Sequence, residues 1–286
     1  MQIQVIQSSM ISFATRQMSA FNPEIAAQAL IPKELLSQAS MLHLSMHISA
    51  DHIDIALSDA AGGAFQWIQR FEISTGVDFE KSVLQFIRER NWNERVFRKC
   101  TISFDAEVFT LVPAGFFSKS KAPELLEFST GKNSPEVSDA ELSEYDAVLI
   151  WQENELNREL MRIFPNARII PSVYLLLKYS KTTIEKSGDT IFIAPSSKMV
   201  TLIAFRRGLP VLINAYQSGD HEDVLYHASN AAMTQGIDFE FSKNVIFLSE
   251  PSEKLMATLK SYNRNTMSAF DQTATGYALQ LHVLCV

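Results

Sequence analysis

Cysteine is scarce in this chain: the 286 residues include two, Cys100 and Cys285. They lie far apart and match no metal-binding or redox spacing, so a reducing compartment is the simplest interpretation. No segment approaches the roughly 18 uninterrupted apolar residues of a membrane-spanning helix. The start, MQIQVIQSSM, lacks the basic patch and long apolar core of a secretory signal. We therefore expect a cytoplasmic protein with no membrane partner.

Short motifs of several enzyme classes are absent as well. The sequence contains no G-x-x-x-x-G-K-[ST] phosphate-binding loop, no G-x-G-x-x-G dinucleotide fingerprint and no G-x-S-x-G nucleophile elbow. Its net charge of −7 argues against a general electrostatic attraction to nucleic acid. The length and the ordinary globular composition indicate about two domains.

What the sequence does contain is one order of predicted elements that occurs twice. Residues 42–49 and 53–58 alternate apolar and polar side chains on either side of a short turn, which predicts a hairpin. A third strand over 65–71 and a helix capped by Asp78 follow. The same strand, strand, strand, helix order returns from Asp189 onwards, offset by roughly 146 residues, which indicates an internal repeat.

Further elements are predicted between and after the two copies. Between them we expect strands within 94–104, 107–113, 145–151 and 167–170, helices within 122–128, 154–164 and 172–179, and a polar linker over 130–139. After them we expect a strand over 244–248, a helix over 252–262 and an apolar tail, 277–286, that packs back on the body. The sequence therefore predicts an α/β fold with two lobes and a duplicated β-β-β-α-β-α unit. The predicted parts are a lead-in over 1–41, a first lobe over 42–185 with a subdomain inserted at 95–140, and a second lobe over 186–286.

Three phrases resemble a known bacterial family. They are FTLVPAGFF at 109–117, LPVLINAYQSGDHEDVLYHA at 209–228 and NVIFLSEPSEKL at 244–255. In order and spacing they resemble domain-of-unknown-function family 3822, which has an actin-like ATPase (ribonuclease H-like) fold. The doubled element order also resembles the wider superfamily of actin, sugar kinases and chaperone ATPases. The resemblance covers roughly residues 42–286 and implies a fold, because the family carries no established activity.

The resemblance also implies where a nucleotide would lie, which is between the lobes and against two hairpin turns and a third loop. Such turns present backbone N–H groups to phosphates, and glycine lets the backbone approach. In the first turn His47 takes the position of the usual aspartate, Ser49 takes that of the glycine, and Asp51 lies on the other side of the turn. In the second turn Ile193 takes the acidic position and Pro195 has no N–H to donate.

The remaining candidates for a nucleotide site are weak as well. Ser196, Ser197 and Lys198 in the second turn could hold an anion, whereas Ser249 and Glu250 replace the glycine pair of the third loop. We therefore interpret the chain as a non-catalytic pseudo-ATPase without a cofactor. It would act as an interaction or scaffold module for an unknown protein partner, with a homo-oligomer as a further option. The alternative is binding of a nucleotide or other small anion in the cleft through these residues, with weak phosphoryl transfer.

Three histidines and two aspartates near the first turn raise the question of a metal site. Zinc accepts imidazole and carboxylate ligands. The five residues, however, match no standard ligand spacing. The simpler interpretation is that they line the outer face or the cleft side of the hairpin. They are His43, His47, His52, Asp51 and Asp54.

Two further segments have an ordinary explanation beside a functional one. Residues 88–99 combine five basic side chains with Trp92 and Phe97, a mixture that can bind nucleic acid, but interspersed glutamates make a solvated face the simpler interpretation. The acidic residues of HEDVLYH at 221–227 suit the first turn of a helix. Within the family phrase we expect four residues to fix the third strand of the second copy on this helix, namely Asn214, Tyr216, Asp223 and Tyr226.

Overall fold

The computed structural model describes residues 32–59, 65–73, 79–92, 95–184, 188–250, 252–270 and 276–282. These residues form two compact units, each assembled from separate stretches of chain. The first unit takes its described residues from Met1–Phe104, Glu155–Ile169 and Thr273–Val286, and the second from Asp105–Asn154 and Ile170–Gln272. The lobe boundaries expected from the sequence stay a prediction.

The described residues contain strands and helices in the following order. The strands are β1 (Leu42–Ile48), β2 (His52–Asp59), β3 (Phe65–Glu72), β4 (Lys99–Phe104), β5 (Phe109–Pro113), β6 (Val137–Leu142), β7 (Ala147–Gln152), β8 (Arg168–Pro171), β9 (Asp189–Pro195), β10 (Met199–Arg206), β11 (Leu209–Gln217), β12 (Lys243–Ile246) and β13 (Thr266–Ser268). The helices are α1 (Lys33–Ser37), α2 (Phe79–Glu89), α3 (Ala122–Thr130), α4 (Glu155–Ile163), α5 (Ser172–Thr183), α6 (His221–Thr234), α7 (Glu253–Tyr262) and α8 (Tyr277–Leu281). No helix among the described residues is long and apolar enough to cross a membrane.

The first sheet has the strand order β3-β2-β1-β4-β8, with β1 antiparallel to β2 and parallel to β4. Because side chains of a strand alternate between faces, Leu44, Met46 and their partners share an apolar face. Phe71 of β3 belongs to that face and contacts Phe86 of α2, with ring centroids 4.8 Å apart. The opposite face of this sheet is buried although it carries polar residues.

The second sheet repeats the same order with β11-β10-β9-β12-β13. Again the first three strands are antiparallel, and the crossover strand β12 runs parallel to β9. Buried residues of β9 and β10 pack with α6 and α7 into one core on one face. The other face holds Phe192, Phe205 and Phe247, all at most 1% exposed, together with Tyr179 of α5. The duplicated element order expected from the sequence is therefore confirmed.

A third, smaller sheet of order β5-β7-β6 packs against α3. Here the predicted polar linker over 130–139 is partly wrong, because β6 begins at Val137 and pairs antiparallel with β7. The strand lies at an edge of the sheet, where one side of its backbone faces no other strand. Most of its side chains are half-buried, so polar residues such as Ser138 and Asp139 are tolerated and the apolar alternation is lost.

The apolar tail packs back on the body, as expected, over its described part. Helix α8 contacts β1 and β2 of the first sheet. Its side chains at Ala278, Leu279 and Leu281 are buried. The rest of the tail, 283–286, lies outside the described residues, as do the predicted cap Asp78 and residues 1–31 of the lead-in.

Candidate functional site

The two hairpin turns have the same construction. Three residues link β1 to β2, and the N–H of the first, Ser49, donates to the carbonyl of His52 at 2.9 Å. Three residues likewise link β9 to β10, and the N–H of Ser196 donates to the carbonyl of Met199 at 2.8 Å. The leading amide of each turn is therefore used inside the turn, and it does not point toward a ligand.

The second turn lies beside the start of α6, where side chains of the helix cap and first turn accept from two backbone amides. The carbonyl of Lys198 accepts from the N–H of Ser218 at 3.0 Å, which fixes the turn to the segment before the helix. Asp220 accepts from the N–H of Asp223 at 2.8 Å, and the Asp223 carboxylate accepts from the N–H of Gly219 at 2.8 Å. The two carboxylates take the positions and the positive helix end that an anion would otherwise use.

The third loop follows the same pattern. Ser249 and Glu250 come shortly after β12, and Ser252 then caps α7, its Oγ accepting from the N–H of Leu255 at 3.3 Å. Glu253 lies in the first turn of the helix. The loop thus begins a helix whose N-terminal donors face its own hydroxyl and whose surroundings are acidic.

His47 belongs to a row of polar residues that crosses four strands of the first sheet. The pairing registers place Arg70 of β3, Asp54 of β2, His47 of β1 and Ser103 of β4 side by side. Arg70 donates to both carboxylate oxygens of Asp54, at 2.6 and 2.7 Å, and Asp54 is completely buried. His47 Nδ1 lies 2.9 Å from Ser103 Oγ. We call these four residues the polar row.

A residue from the C-terminal segment joins the polar row. His282 Nε2 lies 2.8 Å from Ser103 Oγ, so one hydroxyl stands between two imidazoles. Burial holds the pKa of His282 well below its usual value, and the nearby His47 and His43 lower it further. His43 itself lies 2.9 Å from Thr101 Oγ1 through Nε2, and burial together with the charge of Lys99 lowers its pKa to about 4.

The histidines near the first turn do not converge on one point. His52 Nδ1 lies 2.6 Å from Asp51, and its Nε2 lies 3.7 Å from Asp54. Burial alone would lower the pKa of His52, but the hydrogen bond that its ring donates to Asp51 and the charge of Asp54 raise it above its usual value. Among the described residues no group of three or more His, Cys, Asp or Glu is arranged to hold a metal ion. The three histidines are at most 6% exposed, so the first of the two expected positions, on an outer face, is wrong, and the position on the cleft side of the hairpin stays a prediction.

The structure therefore brings the predicted site residues together in small groups. His47 lies inside the first unit, Ser49 and Asp51 share the first turn, and Ser196, Ser197 and Lys198 share the second. The sequence interpretation missed other members of the network, namely Arg70, Ser103 and His282. The alternation of Thr101 and Ser103 with apolar neighbours in β4 was the one available signal, since it marks a polar face.

Of the two aromatic side chains in the basic segment 88–99, Trp92 is buried and Phe97 is half-buried. Trp92 is 2% exposed and contacts Phe86, with ring centroids 6.1 Å apart. The guanidinium of Arg90 lies over the rings of Phe86 and Phe71, at 4.1 and 4.9 Å from their centroids. Because these rings are engaged inside the unit, stacking of bases on them has no support here.

The link between β11 and α6 is made by a histidine that the sequence interpretation passed over. His227 stacks on Tyr216 with ring centroids 4.8 Å apart, and its Nε2–H donates to the carbonyl of Gln217 at 3.0 Å. Of the residues expected to make this link, Asn214 instead accepts from the N–H of Ala215, and Tyr226 is 63% exposed. Of the four expected residues, Tyr216 joins the strand to the helix through His227, and Asp223 of the helix accepts from the N–H of Gly219 in the segment between them.

Comparison with known proteins gives this architecture a family. The model of the family described as "Protein of unknown function (DUF3822)" matches residues 33–266. No curated protein matches the chain significantly. A protein of Bacteroides thetaiotaomicron with an actin-like ATPase fold and unknown function aligns at a TM-score of 0.75 and 17% identity, covering 88% of this chain and 98% of that one.

A second solved structure supports the same fold. The PilM–PilN complex of type IV pilus biogenesis aligns at a TM-score of 0.53 and 12% identity, covering 85% of this chain and 97% of that one. At such low identities the likeness concerns the fold. The match of the family model covers most of the chain and therefore shows the family as well as the fold. The chain belongs to the DUF3822 family of proteins of unknown function, and its fold is the actin-like ATPase fold.

Proposed function

We propose that this chain is a non-catalytic, actin-like protein that acts through contacts with other proteins. One observation carries the proposal: in all three loops that would hold a nucleotide in this fold, the chain itself occupies backbone donors that a phosphate would use. The leading amides of both turns bond within the turn, and the starts of α6 and α7 are capped by Asp220 and Ser252. Phosphoryl transfer depends on donors and cations that neutralise the phosphates, and here carboxylates stand in their place.

Two further observations support the protein-contact half of the proposal. Phe116 and Phe128, close to the third sheet, are 79% and 91% exposed. Phenylalanine is enriched at protein interfaces relative to the rest of a surface. The PilM–PilN structure, which shares this fold, is by its description a complex of two proteins. A fold used in a protein assembly is consistent with a role as an interaction or scaffold module.

The nucleotide half is tested by thermal unfolding with and without millimolar Mg-ATP, with magnesium alone as the reference. A ligand that binds the native state must raise the midpoint by mass action. We expect no change. A clear rise would contradict the proposal and favour binding of an anion by this chain. In that case the Ser197→Ala/Lys198→Ala variant decides whether the second turn is the site, since it should then lose the rise.

The contact half is tested by affinity purification from the native cell with two forms of the chain. The wild type is compared with the Phe116→Ser/Phe128→Ser variant, whose changes lie at exposed positions and should leave the folded state intact. We expect a protein that the wild type retains and the variant loses. Identical sets of retained proteins would exclude this surface as the contact.

A further inference from the structure

The polar row lies beneath a short C-terminal segment, Gly276–His282, which we call the latch. Gly276 has φ +62° and lies so close to Asp54 that a Cβ at this position would stand 2.5 Å from the Asp54 Oδ2 atom. The ring of Tyr277 lies 6.2 Å from that of His47, and His282 reaches Ser103. The latch is thus fitted closely to a polar surface, where most helices cover an apolar one.

The hydrogen bonds between latch and sheet require neutral histidines. Ser103 Oγ has one proton to give, so it donates to one of its two imidazole neighbours and accepts from the other. If His47 and His282 were both cationic, both would be donors toward the same hydroxyl, whose proton would then need another acceptor. The remaining nitrogen of His282, Nδ1, is buried without a hydrogen-bond partner among the described residues.

Several titratable and charged groups of the first unit lie on this face of the sheet or beside it. They are His43 and His47 on β1, His52 and Asp54 on β2, Arg70 and Glu72 on β3, Lys99 on β4 and Asp51 in the turn, and the latch adds Tyr277 and His282. Asp54 is held by both nitrogens of Arg70, Asp51 bonds to His52, and Glu72 is exposed. Lys99 repels a second positive charge on its neighbour His43.

From this cluster we propose that the latch is a pH-sensitive strap, held on the sheet while His43 and His282 are neutral and released when they take up protons. Release of the latch would expose Asp54, His47 and Ser103 to solvent. The proposal does not depend on the function proposed above, since it concerns the first unit alone. His52 does not drive release, because its carboxylate neighbours already favour its charged form.

The expected response follows from proton linkage. In the released state His43 and His282 would titrate near the ordinary pKa of about 6.5. In the closed state both pKa values are lowered, by burial first and by neighbouring positive charge second. Below pH 6 the released state therefore holds two more protons than the closed state. The equilibrium constant for release should rise about a hundredfold per pH unit between pH 6 and 5.

Native-state hydrogen exchange of the latch amides, corrected for the intrinsic effect of pH, measures this constant. Glutamine is the matched replacement, because its amide nitrogen corresponds to the Nε2 that bonds Thr101 or Ser103 and does not titrate. We expect about a hundredfold change per pH unit for the wild type, about tenfold for His43→Gln or His282→Gln, and no change for the double variant.

Each outcome of this experiment bears on the proposal. A slope shared by the wild type and the double variant overturns it, as does a wild-type latch that stays equally protected from pH 7 to pH 5. If His282→Gln alone exposes the latch at neutral pH, the slope of His43→Gln still decides the matter, because that change lies on β1 and leaves the latch sequence intact. A protected latch at pH 7.5 in His43→Gln is the control for folding.

Discussion

Gly276→Ala is the sharpest test of how the latch meets the sheet. The added methyl would stand 2.5 Å from Asp54 Oδ2 and 3.2 Å from its Cγ. The carboxylate cannot move aside easily, because it is completely buried and Arg70 holds both its oxygens. Overpacking of this kind costs about 1–3 kcal/mol. The left-handed backbone conformation at position 276 destabilises the folded state by about a further 1 kcal/mol for any residue with a Cβ.

These contributions set the size of the expected effect. Alanine restricts the unfolded chain more than glycine, which offsets about 0.5–1 kcal/mol. The net loss is therefore about 1–3.5 kcal/mol, or a midpoint lowered by roughly 2–14 °C for a chain of this size. Unfolding of the first unit can be followed by the fluorescence of Trp67 and Trp92 in a Trp151→Phe background, since Trp151 lies in the second unit.

A matched control separates backbone strain from the contact. Gly131 has φ +69°, and nothing lies within 4 Å of a Cβ built there. Gly131→Ala should therefore lose only the backbone share of about 1 kcal/mol, reduced by the same offset of about 0.5–1 kcal/mol from the unfolded chain. In an Asp54→Ala background, Gly276→Ala should cost no more than this control, because the methyl then meets no carboxylate. Equal losses for the two glycine variants in the wild-type background would refute the close approach of Gly276 to Asp54.

Three other substitutions and conditions follow from the same structure. Arg70→Leu removes the guanidinium that holds the buried carboxylate of Asp54 and should lower the free energy of unfolding by about 3–5 kcal/mol at pH 7. Denaturant titration measures this loss, and an unchanged free energy of unfolding would contradict the buried ion pair. The pKa of His43 is lowered to about 4, so on acidification this histidine is protonated in the unfolded chain before it is protonated in the folded one. The free energy of unfolding should therefore fall as the pH drops from 6.5 to 4, by about 3 kcal/mol for this residue alone. A His43→Gln variant whose free energy of unfolding falls equally over this range would contradict the lowered pKa. Phe247 belongs to the cluster of Phe192, Phe205 and Tyr179, and Phe247→Ala should lower the free energy of unfolding by about 3–5 kcal/mol. Phe128 is 91% exposed, so Phe128→Ala should change it by no more than about 0.5 kcal/mol. Equal unfolding midpoints for the two variants would argue against tight packing around Phe247.

Most strands could be predicted from the sequence because they are buried on one face or on both. Burial on one face gives an alternating apolar pattern, and burial on both gives a continuous apolar run. In β1 and β2 the apolar residues recur at every second position, and the two strands lie almost where the alternation places them. Prediction failed where this signal weakens. At the edge, β6 reads as a polar linker. The sequence pattern predicts a strand over 209–213 only, whereas β11 continues for four more residues, to Gln217. Edge strands need fewer buried side chains, so their pattern carries less information.

The candidate site was only partly predictable, for a different reason. The turns could be located because each stands between two alternating strands, and their lack of glycine is visible in the sequence. The contact of His282 with Ser103 joins residues 179 positions apart, and no local pattern indicates it. The same holds for Arg70, whose basic side chain reads as solvent-exposed until the register places it beside Asp54. Partners fixed by topology become visible only once the strands are paired.

The polar row also raises the question of why this unit keeps charge in its interior. A buried ion pair such as Arg70 and Asp54 can often be replaced by apolar residues of similar volume without loss of stability, because desolvation offsets the attraction. Stability alone therefore does not explain a face on which Asp54, His47 and Ser103 lie together beneath a helix. A surface that is exposed part of the time differs from a permanent core. Its polar groups form hydrogen bonds with water when the latch is released and with one another when the latch is closed. A latch that opens with pH accounts for both conditions, whereas a permanently closed one leaves the polar face without a physical reason.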